Sequence, residues 1–87
     1  MVTCKIEITN PVGLHARPAA EFVRVAQKYR ATITVRYEKR EVNAKSILGV
    51  LSLGVKAHEQ VILIAEGVDE QTALDALTSN LRSASTL

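Results

Sequence analysis

The chain has 87 residues, 47% apolar and 23% charged, with a formal net charge of +2, which suits one globular domain over residues 1–87 with one modest core. That charge is too small, and the aromatic residues at 3% too few, for nucleic acid to be the main partner, and Lys and Arg form no run. The single cysteine, Cys4, excludes an internal disulfide framework and fits a reducing, cytoplasmic setting; no apolar run is long enough for membrane insertion, and the first residues lack a signal-peptide profile.

Residues 2–9 alternate, with Val2, Cys4, Ile6 and Ile8 on one face and Thr3, Lys5, Glu7 and Thr9 on the other, the pattern of a half-buried strand. Asn10-Pro11-Val12-Gly13 breaks it with turn formers. From Ala16 the period changes: Ala19, Phe22, Val23 and Ala26 fall on one face of a helix that ends near Tyr29. Pro18 sits in its first turn, where a missing N–H costs nothing, and His15 takes the N-cap position. Ala31, Ile33, Val35 and Tyr37 alternate in a second strand, residues 38–41 turn the chain, and Val42 marks a short partner strand. The apolar run from Ile47 to Leu53 reads as a short helix capped near Ser46 and closed by Gly54, although a strand fits such a run as well. Residues 60–65 read as a strand buried on both faces. Asp69 caps a final helix whose apolar stripe is Ala73, Leu74, Leu77, Leu81 and Ala84. The order strand, helix, strand, strand, helix, strand, helix implies two α+β layers, with helices on one face of a largely antiparallel sheet.

The chemistry concentrates around Gly13-Leu14-His15-Ala16-Arg17-Pro18. Neutral imidazole is a nucleophile, and a helix N-terminus offers unpaired N–H groups, here those of Ala16 and Arg17, to an anion. Arg17 adds a guanidinium that pairs with phosphoryl oxygens, and phosphoryl transfer needs little beyond positioning and electrostatics. His-x-Arg-Pro alone is a weak motif, and by spacing alone a plain capping histidine with a solvated arginine is the commoner reading. Ser46 is likewise an N-cap or a phosphorylation site at a helix N-terminus. Ile47, Leu48, Val50, Leu51 and Leu53 exceed what one buried face requires, so either the core takes them all or some form a docking patch. His58 reads as a solvated loop residue and Cys4 as a packed one; they lie too far apart in sequence to suggest a metal site. A purely regulatory module acting through Ser46 and a small acyl-phosphate hydrolase are the competing functions. The hydrolase lacks a carboxylate or amide placed by motif to orient water.

Taken together, these stretches resemble the HPr family, the histidine-containing phosphocarriers of the bacterial phosphoenolpyruvate-dependent sugar phosphotransferase system. Gly13-Leu14-His15-Ala16-Arg17-Pro18-Ala19 is similar to the family's active-site signature, and residues 43–54 to its serine-phosphorylation segment. Ala65-Glu66-Gly67 followed by Asp69-Glu70 is similar to its approach to the last helix. Order and spacing agree over essentially the whole chain. The resemblance implies an open-faced β-sandwich, a four-stranded antiparallel sheet ordered 1-4-2-3 with three helices on one face. It implies a carrier rather than an enzyme, in which His15 accepts phosphate at Nδ1 from phosphorylated enzyme I and passes it to the A domains of sugar-specific permeases. Arg17 and the Ala16 N–H would steady the phosphoryl group, and Ile47, Leu48 and Leu51 would dock both partners. Ser46 would be phosphorylated by an ATP-dependent HPr kinase/phosphorylase, the product serving as corepressor for a catabolite-control transcription factor. The carrier would need no cofactor and act as a monomer. A related subgroup lacks the active-site histidine and only regulates; His15 stands against it. The chain departs from the family in Val12, in His58, where many relatives have glycine, and in the absence of glycine from the turn near Lys39.

Overall fold

The computed structural model describes the backbone of residues 1–84 and the side chains of residues 1–82. Along the chain run β1 (Val2–Glu7), α1 (Ala16–Ala26), β2 (Thr32–Tyr37), β3 (Arg40–Asn43), α2 (Ile47–Ser52), β4 (Gln60–Glu66) and α3 (Glu70–Ala84). All strand pairs are antiparallel and the sheet order is β1-β4-β2-β3, as expected. Because strand side chains alternate, each strand turns one row to the helices. Ile6, Ile33, Val35, Val61, Leu63 and Ala65 are buried together with Phe22, Val23 and Ala26 of α1 and Ala73, Leu74, Leu77 and Leu81 of α3. The Ala84 side chain, assigned to the same stripe, lies outside the described residues. Cys4 is half-buried against this core.

β4 corrects one expectation. Val61, Leu63 and Ala65 are buried, but Ile62 and Ile64 are only half-buried, so the strand is closed on one face. The open face is covered by neighbouring strands alone: Ile62 sits between Lys5 and Arg36, and Ile64 between Thr3 and Thr34. The aliphatic stems of Lys and Arg shield apolar surface while their heads stay in water. A continuous apolar run here marks the interior of an open sheet rather than a strand between two layers.

Element ends also move. β1 stops at Glu7, although Ile8 stays buried and paired through its N–H to Glu59 C=O and its C=O to His58 N–H. α1 stops at Ala26, because Lys28 N–H bonds Val25 C=O and Tyr29 N–H bonds Ala26 C=O, the tighter turn that ends helices. Arg40 and Glu41 belong to β3, opposite Tyr37 and Arg36, so the hairpin turn is Glu38 and Lys39 alone, and Glu38 takes φ +57°.

Asp69 is a correction of another kind. Its C=O accepts the Ala73 N–H and starts α3, but its carboxylate accepts the N–H groups of Arg30 and Ala31 at 2.9 and 2.8 Å. The side chain therefore ties the α1–β2 connection to α3 instead of capping its own helix.

These bonds make stability depend on pH. The Arg30 N–H foremost holds Asp69 below its ordinary 3.8, while Tyr37 O–H does the same for Glu59 and Gly67 N–H for Glu70, both ordinarily 4.5. Groups with depressed folded pKa values stabilise the fold above the unfolded values and lose that contribution as pH falls. Tyr37 runs the opposite way: the Glu59 carboxylate pushes its phenol up to about 12, so its contribution fades as pH rises from the ordinary 10.0 toward 12. The melting temperature is accordingly expected to fall as pH drops below about 5, and again as pH rises above about 10. Thermal melts across that range check it, and a flat profile below pH 5 would contradict the bonding described.

Candidate functional site

The segment between β1 and α1 is built by its turn chemistry. The Asn10 side-chain carbonyl accepts the Val12 N–H at 3.0 Å and its backbone C=O accepts the Gly13 N–H at 2.9 Å. Gly13 has φ +75°, and a Cβ there would lie 2.5 Å from the Val55 carbonyl oxygen. Leu14 follows with its side chain buried and its N–H donated to that same Val55 carbonyl at 3.0 Å. Ahead, the His15 C=O accepts the Ala19 N–H at 2.9 Å. The backbone of His15 is thus fixed from both sides while its ring stands exposed.

His15 is the N-cap of α1, as the sequence suggests, but its side chain makes no capping bond. Pro18 has no N–H, so the free amides at this helix end are those of Ala16 and Arg17. The first turn contains no acidic residue, so nothing in it neutralises the positive helix end. Arg17 is exposed and forms no salt bridge or hydrogen bond among the described residues. Two shallow depressions flank His15. One of about 400 Å³ is walled by Asn10, Val12, Arg17 and Glu21, and one of about 640 Å³ by Leu51, Gly54, Val55 and Lys56. Val12, 67% exposed, borders both.

α2 confirms a helix where the apolar run left the choice open. Ser46 is its N-cap, with Oγ accepting the Gly49 N–H at 3.1 Å. Gly54 closes it at φ +63°, and Arg40 donates to the Ser52 carbonyl at its end. The apolar residues divide: Val50 and Leu53 enter the core, Leu51 is half-buried, and Ile47 and Leu48 are 36% and 78% exposed. At one end of α2, Gln27 Nε2 donates to the Lys45 carbonyl and Lys45 Nζ to the Tyr29 carbonyl. At the other end, Leu51 and Gly54 share the depression beside His15. α1 and α2 therefore run antiparallel, and Ser46 lies a helix length from Leu51, about 7–8 Å along the axis. The structure gathers His15, Ala16, Arg17 and Leu51 at one place and leaves Ser46 apart.

His58 is exposed, as expected of a loop residue, with Nδ1 3.3 Å from the Glu7 carboxylate. It holds φ +70°, the left-handed conformation in which glycine is easier. Among the described residues no three His, Cys, Asp or Glu side chains converge on a possible metal position, and no helix is long and apolar enough to cross a membrane.

A family model described as the PTS HPr component phosphorylation site matches residues 2–83. The chain belongs to the HPr family. It is 44% identical to the HPr-like protein Crh of Bacillus subtilis over 91% of this chain and 93% of that one. It is 42% identical to the phosphocarrier protein HPr of Lysinibacillus sphaericus, covering 93% and 92%. The solved HPr of Thermoanaerobacter tengcongensis superposes with a TM-score of 0.95 at 47% identity, covering 100% of this chain and 98% of that one. A structure of the HPr dimer from the same organism matches at 49% identity with a TM-score of 0.77, covering 95% of each chain. This HPr-family member is therefore a phosphocarrier of the phosphotransferase system, in the service of sugar transport, and not an enzyme. The hydrolase reading falls with that.

Sequence reasoning did not reach Val55 and Lys56 as the seat of the His15 loop, nor Glu21 as a wall of its groove. Glu21 carried a signal, since it lies four residues beyond Arg17 on a helix; Val55 carried none, because it acts through its backbone carbonyl.

Proposed function

We propose that this protein, one domain over residues 1–87, is a monomeric cytoplasmic carrier that takes a phosphoryl group on His15 from phosphorylated enzyme I. It then delivers that group to the A domains of sugar-specific permeases. The supporting observation is an exposed imidazole that caps nothing, beside an unneutralised helix N-terminus and an uncommitted Arg17. The Nδ1 lone pair attacks phosphorus as the bond to the donor breaks and leaves its electron pair with the donor. In the second transfer a nucleophile of the permease A domain bonds to phosphorus as the P–N bond breaks, whose electron pair returns to Nδ1 and restores neutral imidazole. Charge stays on the peripheral phosphoryl oxygens throughout, where the Arg17 guanidinium and the N–H groups of Ala16 and Arg17 meet it. The residues that carry the transfer all lie on one chain, so the reaction requires no second copy.

Incubation with phosphoenolpyruvate and enzyme I is expected to yield an acid-labile, base-stable adduct that moves on to a permease A domain. No adduct would defeat the reading. Arg17→Ala is expected to slow acceptance by about 10- to 100-fold, because one charge-assisted donor is lost where charge concentrates. Stopped-flow transfer rates check it, and an unchanged rate would remove Arg17 from the site.

Ile47, Leu48 and Leu51 supply the apolar docking surface for both partners, supported by the exposure of Ile47 and Leu48 and by Leu51 at the border of the His15 depression. Ser46 is its control, phosphorylated by HPr kinase/phosphorylase. Its distance along α2 means that a phosphate there acts by placing charge next to Leu48 rather than by touching His15. Ser46→Asp is expected to raise the Kd for enzyme I about tenfold or more with the circular dichroism unchanged, since aspartate also caps helices. Titration calorimetry reads this directly, and an unaltered Kd would sink it. The similarity to Crh, the Bacillus subtilis catabolite repression HPr, favours an additional regulatory role, in which the serine-phosphorylated form binds a catabolite-control transcription factor.

A further inference from the structure

We propose that Glu59 is a positioning residue for His15, clamping with Tyr37 the turn at residues 55–58 on which the His15 loop rests. This rests on the reading of His15 as phosphoryl acceptor and extends it to what holds the acceptor in place.

Glu59 is the node of that turn. Its Oε1 accepts both the Tyr37 hydroxyl at 2.6 Å and the Lys56 N–H at 2.8 Å. Its own N–H donates to the Lys56 carbonyl at 3.2 Å and its carbonyl accepts the Ile8 N–H at 2.8 Å. One side chain therefore ties the turn to the end of β2, and its backbone ties the turn to the end of β1. The turn needs such ties, because His58 within it sits at φ +70°, which a non-glycine residue keeps only where its surroundings compel it.

The other end of the turn supports the site. The Val55 carbonyl accepts the Leu14 N–H, and Gly13 packs so closely that no Cβ fits between it and Val55 or Lys56. His15 is the next residue after Leu14, and its carbonyl begins α1. Lys56 is thus held by Glu59 on one side and bears the His15 loop on the other. If the turn relaxes, the ring and the amides of Ala16 and Arg17 lose their fixed relation. Glu59 touches neither His15 nor Arg17 in any described bond, so its role is indirect.

The chemistry of the clamp requires an oxygen that takes two donors. A carboxylate does so, an amide oxygen does so, and alanine does not. Glu59→Gln, Glu59→Ala and Tyr37→Phe therefore separate the clamp from a general loss of stability. In the full chain, Glu59→Ala is expected to speed hydrogen exchange at the Leu14 amide about tenfold, since that bond depends on the turn. It is expected to lower kcat for phosphoryl acceptance from phosphorylated enzyme I about five- to tenfold with KM within about twofold, since small misplacements cost rate while α2 still docks. Glu59→Gln is expected to restore both, and Tyr37→Phe to fall between. A kcat for Glu59→Ala within twofold of the parent overturns the proposal, as does a Glu59→Gln variant that fails as badly as alanine. If the parent protein accepts no phosphoryl group, the reading of His15 fails instead. Leu14 exchange in the same variants then decides the clamp alone: faster exchange rescued by glutamine upholds it, and unchanged exchange refutes it.

Discussion

His15→Ala is expected to abolish phosphoryl acceptance, by more than about a thousandfold, while changing stability by less than about 0.5 kcal/mol. The small structural effect follows from exposure: the ring caps nothing and has no bond among the described residues, so removing it empties no cavity and strands no polar group. The large chemical effect follows from the lack of a substitute. The other histidine, His58, lies in a turn with the Glu7 carboxylate 3.3 Å from Nδ1, and that charge opposes a phosphoryl group rather than drawing it. Labelling from phosphoenolpyruvate through enzyme I measures the first effect and thermal unfolding the second. An acid-labile label still acquired by His15→Ala would place the acceptor elsewhere.

Gly13→Ala is expected to destabilise the protein by about 3 kcal/mol, lowering the melting temperature by roughly 12–24 °C. Two penalties combine. At φ +75° any side chain is strained, and the new Cβ would meet the Val55 oxygen at 2.5 Å and the Lys56 Cα at 2.9 Å. Both obstacles are backbone, so no rotamer change relieves them, and the Leu14–Val55 bond must stretch or break. Gly54 is the control. Its φ of +63° carries the same conformational strain, but nothing lies within 4 Å of its Cβ position. Gly54→Ala is therefore expected to lose only about 1 kcal/mol. Equal losses at the two positions would mean that the contact with residues 55–56 does not hold the loop.

Periodicity and turn chemistry carried most of the fold. Strand alternation placed Ile6, Ile33 and Val35 in the core, and helical spacing placed Phe22, Val23, Leu74 and Leu77 there, because a chain's own geometry determines which residues share a face. Ser46 and Gly54 were legible as helix ends for the same local reason. β4 was misread because an apolar run says that water is excluded without saying by what. Lys5 and Arg36, distant in sequence, do part of that work. Asp69 was misread because the position is right for a cap, and only the fold brings Arg30 and Ala31 to its carboxylate.

The His15 site divides along the same line. The residues 13–18 by themselves determined a histidine at the start of a helix, an arginine two residues on and a proline whose missing N–H leaves Ala16 and Arg17 as the free amides. Each of those is a consequence of neighbours in the chain. Tertiary structure alone decided that the ring stands exposed, that Leu51 shares its border while Ser46 sits at the far end of α2, and that Val55 and Lys56 carry the loop under Glu59. The reason is physical: the loop's support passes through the Val55 backbone carbonyl, which any residue presents, and through the Glu59 carboxylate, whose partners Tyr37 and Lys56 only this packing brings to it.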